Sequence, residues 1–233
     1  MMTNGHVIAA TLAKSMRYDT LSAFDTVGLV ATAGLAIVTR PSFAPNSVKE
    51  LVDAAKQDPG KITYASVGFG GTQHFAGEMF RQISGVNILH VPYRGSPDAI
   101  MAVLGNQVDV MFDTVSAVLG QVQSGELKVL AVTGKDRFPA LPNVPAAAES
   151  GVLPGYDVTT WYGMIAPRGL PAPVLEKLNK VLNETIADPA IRERLTKAGV
   201  IAHASSVQEF GKHIADEYAR WNKVREAAGI PQQ

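Results

Sequence analysis

From Ile62 to Val132 the chain alternates short β-branched runs with helical patterns, and that rhythm limits the available folds more than any other feature. The spacing predicts strands at 62–65, 87–91, 108–112 and 127–132, with helices at 72–83, 97–104 and 116–123 between them. Strands separated by helices over short loops cannot pair as hairpins, so they read as a parallel sheet wrapped by helices. Ahead of this region, 27–39 reads as one buried strand or a pair of short ones. Ser47 then caps a helix, with Glu50 at the capping-box position and an apolar stripe of Val48, Leu51, Val52 and Ala55. Asp58-Pro59-Gly60 ends it. After the alternating region, Pro139, Pro142, Pro145 and Pro154 break the rhythm. A strand follows at 157–166, then helices at 173–186 and 189–197, and a last helix capped by Ser206 with Glu209.

Composition narrows the function classes. With 233 residues, 46% of them hydrophobic, the chain can bury a sizeable core as one large domain or two small ones. Lys plus Arg and Asp plus Glu each number 21, so the net charge is zero. No basic run exists to neutralise phosphates, and no nucleic-acid partner is expected. The absence of cysteine removes disulfides, thiol chemistry and Cys-ligated metals. His6, His74, His90, His203 and His213 are scattered, without H-x-x-x-H spacing, so neither a metal nor a cofactor is expected. The longest apolar run, 27–38, is interrupted by Gly28, Thr32 and Gly34 and is too short to cross a bilayer. The first residues show no basic region followed by an apolar stretch, so no signal peptide is read there.

Residues 64–78, Tyr64-Ala65-Ser66-Val67-Gly68-Phe69-Gly70-Gly71-Thr72-Gln73-His74-Phe75-Ala76-Gly77-Glu78, run from a strand through a glycine-rich turn into a helix. Gly68, Gly70 and Gly71 permit positive φ and close approach of a ligand to the backbone. Ser66 and Thr72 add hydroxyls, and Phe75, Met79 and Ile83 form a stripe that would seat the helix on a core. Free N–H groups at the helix start favour a carboxylate or phosphate. The same turn can also be purely structural. His74 either donates to the anion or is a structural histidine.

In an open sheet, ligands sit beyond the carboxyl ends of parallel strands. That edge gathers the turn, Tyr93-Arg94-Gly95-Ser96 and Asp113-Thr114. Arg94 can pair with a carboxylate, and Asp113 can accept from a ligand hydroxyl or ammonium. Both can equally be solvated charges or pair with each other. Trp161 and Tyr162 read as core or hinge packing. No G-x-S-x-G elbow or G-x-x-x-x-G-K-[ST] loop is present, and Gln73 stands where the third glycine of G-x-G-x-x-G belongs.

Several segments together carry a family resemblance. They are 64–70 with 74–78, His90-Val91-Pro92-Tyr93-Arg94-Gly95, Met111-Phe112-Asp113, Leu130-Ala131-Val132-Thr133, Leu141-Pro142-Asn143-Val144-Pro145, and Trp161-Tyr162-Gly163 with Ala166-Pro167. In this order, from about residue 3 to 230, the chain resembles the Bug family, the TctC-like periplasmic solute receptors of tripartite tricarboxylate transporters. The resemblance implies an α/β, two-lobed type II periplasmic binding protein fold with parallel-rich sheets. It implies a receptor, not an enzyme, that captures a small carboxylate (a dicarboxylate, tricarboxylate or aromatic acid) in an interlobe cleft. Its partners would be that carboxylate and the membrane permease subunits, its location the periplasm, and its full-length form a monomer.

Lobe I is expected from 1–44 and 161–233, incomplete, and lobe II from 45–160. Against the family pattern, a segment on the order of 60 to 70 residues is expected before the loop matched by Thr3-Asn4-Gly5-His6, about half a small domain. Without it, 27–39 is expected to present an unpaired apolar edge. Phe69 replaces the family's usual polar residue, suggesting an apolar or aromatic ligand body. Arg94 replaces the usual lysine and adds a two-pronged donor. The resulting ligand-contact set is Thr3, Asn4, Ser66, Gly68, Phe69, Gly70, Gly71, Thr72, His74, Tyr93, Arg94, Asp113, Thr114 and Trp161. The alternative is a transferase that uses the turn from Ser66 to Thr72 to hold a phosphorylated substrate.

Overall fold

The computed structural model describes residues 1–232. In chain order the elements are β1 (Met2–Thr3), α1 (Asn4–Leu12), β2 (Phe24–Thr39), α2 (Val48–Gln57), β3 (Thr63–Val67), α3 (Thr72–Ser84), β4 (Leu89–Tyr93) and α4 (Ser96–Leu104). They continue with β5 (Val110–Thr114), α5 (Val115–Gln123), β6 (Lys128–Val132), β7 (Thr159–Pro167), α6 (Ala172–Ala187), α7 (Pro189–Lys197), β8 (Ile201–Ala202) and α8 (Val207–Ala227). The chain divides into two compact units, one of Met1–Ala33 with Thr160–Gln233 and one of Gly34–Thr159.

The 34–159 unit is built on a five-stranded sheet. β3 pairs in parallel with β4 and with β5, while the second half of β2 runs antiparallel to both β5 and β6. The alternating pattern alone suggested a parallel sheet; the antiparallel β2 makes it mixed. Residues 35–39 of β2 are buried throughout, as a central strand covered on both faces requires. The register shifts between Ile37 and Val38 where β2 meets β6. Ser47 caps α2 by accepting the Glu50 N–H, and the Glu50 carboxylate accepts the Asn46 N–H. The expected stripe of Val48, Leu51, Val52 and Ala55 is buried.

Helix α3 buries Phe75, Ala76 and Phe80, whereas Met79 and Ile83 of the expected stripe are only half-buried. The reason is Tyr64. Its ring lies so close to α3 that a Cβ on Gly77 would sit 2.2 Å from Cε2, so the helix turns its glycine face to the sheet. Phe112 completes the contact, edge-on to both Tyr64 and Phe80.

In the other unit, β1 pairs antiparallel with β7, and the first half of β2 pairs antiparallel with β8. Residues 27–39 are thus a continuous, bonded stretch of one strand and not an open edge. Helix α8 opens with the expected Ser206–Glu209 capping box and buries Phe210, Ile214, Glu217 and Trp221. The Trp221 indole donates to Glu217 at 2.8 Å, which keeps that carboxylate satisfied in the interior. Val27 packs with Leu182 and Ile186 of α6. Thr3-Asn4-Gly5-His6, expected as a loop, forms the end of β1 and the first turn of α1, an element that no period in the sequence announced.

Gly77→Ala should destabilise the protein by about 2 to 3 kcal/mol, since the added methyl must displace the Tyr64 ring. Gly120→Ala, on α5 with open space around it, should instead stabilise by roughly 0.5 to 1 kcal/mol. Urea denaturation of the two variants beside the parent measures both.

Candidate functional site

The parallel register brings three chain segments to one sheet edge. Val67 lies opposite Tyr93, and the pairs Tyr64–Val110 and Ala65–Met111, continued two residues along, place Val67 beside Asp113. The turn after Val67, Tyr93–Arg94 and Asp113–Thr114 therefore leave the sheet together, at the carboxyl ends of β3, β4 and β5.

Gly68 and Gly70 take φ of 81° and 77°, the left-handed region that favours glycine. Internal bonds hold the turn in that shape. The Gly68 N–H donates to the Tyr93 carbonyl at 2.9 Å, and the Gly70 N–H donates to His74 Nδ1 at 3.1 Å. The Ser66 hydroxyl donates to the Gly68 carbonyl at 2.9 Å and accepts from His90 Nε2 at 2.6 Å. Ser66 is fully buried, so its hydroxyl shapes the turn from within. Gly71 is the N-cap of α3 and brings no capping side chain. Among the described residues, the backbone N–H groups of Phe69, Gly71, Thr72 and Gln73 meet no backbone or side-chain acceptor. A helix start normally has such donors satisfied by a capping side chain, water or a ligand. Here they have no protein acceptor and the positive end of the helix dipole lies behind them, an arrangement whose chemistry suits an anion.

Beneath the turn lies a ladder of rings. Tyr64 stacks on His90 at 4.9 Å, His90 on His74 at 4.0 Å, and Phe69 lies over His74 at 4.7 Å. Phe69, at the end of the ladder, is 51% exposed. Burial, with the nearby Arg81 guanidinium, pushes the His74 pKa down to about 4. Burial, and then His74 itself, does the same to His90. Both imidazoles are therefore neutral at pH 7, and His74 keeps the Nδ1 lone pair that accepts Gly70. Glu78, buried one turn along α3, accepts the Tyr64 hydroxyl at 2.8 Å and the Arg81 guanidinium at 2.9 and 3.0 Å. Burial, and then the Glu78 carboxylate, drive the Tyr64 pKa upward.

Asp113 is 1% exposed. Its Oδ1 accepts the Thr114 N–H at 2.7 Å and the Gln73 side-chain amide at 3.1 Å, while Oδ2 is buried without a partner. Arg94 is exposed and Tyr93 half-buried, and among the described residues Arg94 and Asp113 form no ion pair. The Thr114 hydroxyl accepts from Ser116 at 3.3 Å. Thr3, Asn4 and Trp161 belong to the other unit. Thr3 is the N-cap of α1, Asn4 is fully buried in its first turn, and Trp161 is buried edge-on to Phe210 and His213.

Sequence reasoning missed His90, Gln73 and Glu78. The β3–β4 register carried the signal for His90, because it sets Tyr64 opposite His90. Gln73 drew notice only as a missing glycine, yet it ties α3 to Asp113.

Comparison with known proteins shows the family and the fold. The family profile described as "Tripartite tricarboxylate transporter family receptor" matches residues 1–230. A protein of Pseudomonas sp. strain P51, described as a UPF0065 protein in the tcbD-tcbE intergenic region, is 35% identical over 201 residues. That match covers 86% of this chain and 60% of the relative, so the chain spans less than two thirds of that protein's length. Among solved structures, Rpa4515 of R. palustris, determined with adipate, superposes with a TM-score of 0.89 at 31% identity, covering 99% of this chain and 77% of that one. The periplasmic binding protein BugD gives a TM-score of 0.86 at 35% identity, covering 100% and 78%. The fold is therefore the α/β fold of these periplasmic binding proteins.

The neutral histidine pair predicts an acid-sensitive fold. An unfolded chain protonates both rings near pH 6.5, whereas the folded rings resist until about pH 4. Stability from this pair should be complete above pH 6.5 and fall as the pH drops from 6.5 towards 4. By pH 5 the loss should be about 2 to 3 kcal/mol, discounting the half-exposed His90. Urea midpoints at pH 7.5 and 5 should converge for His90→Gln relative to the parent; an identical slope in both would remove the pair from the account.

Proposed function

The chain belongs to the tripartite tricarboxylate transporter receptor family, and on that premise we propose that it is a periplasmic receptor for a small organic acid. One carboxylate of the ligand is held on the turn from Ser66 to Thr72, in the 34–159 unit. The observation that carries this reading is the row of unsatisfied N–H groups at Phe69, Gly71, Thr72 and Gln73, opened by a glycine N-cap and braced by His74. Gly68 and Gly70 hold the turn's shape, and Tyr93, Arg94, Asp113 and Thr114, leaving the same sheet edge, select the rest of the ligand. Phe69, half exposed on its ring ladder, offers an apolar face to the ligand body. Thr3, Asn4 and Trp161 enter through the family resemblance alone.

Two comparisons support the ligand class and location: the R. palustris neighbour was determined with adipate, and BugD is described as periplasmic. Among the described residues no helix is long and apolar enough to cross a membrane. The receptor would deliver its ligand to the membrane permease subunits of a tripartite transporter and act as a monomer.

Calorimetry with adipate, shorter dicarboxylates and aromatic acids, on this chain and on the longest reading frame containing it, tests the proposal. Thr72→Pro removes one turn N–H at the first helical position, where proline fits and where Gly71, extended with ψ of 171°, accepts a following proline. Charge-assisted bonds contribute about 1.5 to 3 kcal/mol each, so Thr72→Pro should weaken binding at least tenfold. Thr72→Val, which removes only the hydroxyl, should weaken it less. Unchanged affinity in Thr72→Pro, or binding of phosphate monoesters in preference to carboxylates, would refute the placement.

A further inference from the structure

The unpartnered oxygen of Asp113 narrows the ligand class, given the reading of the turn as a carboxylate site. Asp113 ends β5 one strand from the turn and is 1% exposed. Its Oδ1 is fully used by the Thr114 N–H and the Gln73 amide. Gln73 is the second residue of α3, so this carboxylate is tied directly to the helix start that bears the free N–H groups. Oδ2 is buried without any donor. A buried charged oxygen without a partner is costly, and interiors rarely leave one unless it has work to do. No cation compensates it: Arg94, the nearest arginine in sequence, is exposed and forms no ion pair among the described residues.

We propose that Asp113 Oδ2 accepts a hydrogen bond from a hydroxyl or ammonium group of the ligand, so that the site selects hydroxy- or amino-substituted carboxylates over their unsubstituted parents. The free N–H groups of Phe69, Gly71, Thr72 and Gln73 are donors and take the ligand carboxylate; Asp113 Oδ2 is an acceptor and takes a donor. The two demands are opposite in sign and lie within one glutamine side chain of each other. A ligand that meets both carries its donor a few bonds from its carboxylate. A second ionised carboxylate placed against Oδ2 would meet a like charge and be disfavoured. A site with an unmet acceptor discriminates strongly against analogues that lack the matching group, because they leave the buried atom unpaired.

Two matched series test this by calorimetry on the parent protein: succinate, malate and aspartate, then 3-phenylpropionate, phenyllactate and phenylalanine. In at least one series the hydroxy or amino member should bind at least tenfold more tightly than the parent acid. A preference for the amino member identifies a cationic donor, and a preference for the hydroxy member a neutral one. Asp113→Asn, which retains an oxygen for Thr114 and Gln73, should reduce that ratio towards one. Parent acids that bind as tightly as their substituted forms, or a ratio that survives both Asp113→Asn and Asp113→Ala, would overturn the inference while leaving the carboxylate site standing. Absence of binding by all six acids would overturn the site and this inference together. The comparison among ligands on the parent protein needs no variant, so it decides the question even if Asp113 substitutions fail to fold.

Discussion

The Gly70 N–H donating to the Nδ1 of a neutral, buried His74 is the bond on which the rest of the site depends. It pins the second left-handed glycine of the turn to the first turn of α3, so strand, turn and helix become one rigid corner. The bond needs an unprotonated Nδ1, and burial against His90, with Arg81 close by, supplies that condition by holding the His74 pKa near 4. Gly68 and Ser66 lock the other side of the corner to β4. What remains outside these internal bonds is the set of N–H groups of Phe69, Gly71, Thr72 and Gln73.

As the proposed carboxylate site, the turn would use backbone dipoles in place of a cationic side chain. Such a site needs little reorganisation when the ligand arrives, because its donors are fixed by secondary structure. It also places few demands on net charge, in keeping with a chain whose acidic and basic residues balance at 21 each. Asp113, buried at this edge, has the opposite sign to an anion trap, and on the proposed reading that mismatch makes the site selective instead of generally attractive to anions.

Much of this was legible in the sequence because it rests on local rules. The Ser47 and Ser206 caps, the glycine turn, the helix at 72–83 and the succession of strands and helices along the alternating region follow from capping, periodicity and turn chemistry over a few residues. What was not legible depends on contacts between distant segments. The antiparallel placement of β2, the inward orientation of Ser66 and the stacking of His90 on His74 are set by sheet register, which no single stretch encodes. Gly77 shows the same limit: its necessity is visible only once Tyr64 is placed against α3. Asp113 was recognisable as a candidate, but its orphaned oxygen appears only when its partners can be counted.

The central claim is that the free N–H groups of the turn receive a carboxylate while the bonded ones serve structure. Backbone amide shifts in a ¹⁵N–¹H titration with the tightest-binding carboxylate measure this directly. The account predicts large, saturable downfield shifts for Phe69, Gly71, Thr72 and Gln73, with much smaller ones for Gly68 and Gly70, whose N–H groups already donate to Tyr93 and His74. Saturable binding that leaves those four amides unmoved, or that moves Gly68 and Gly70 as far, would contradict it.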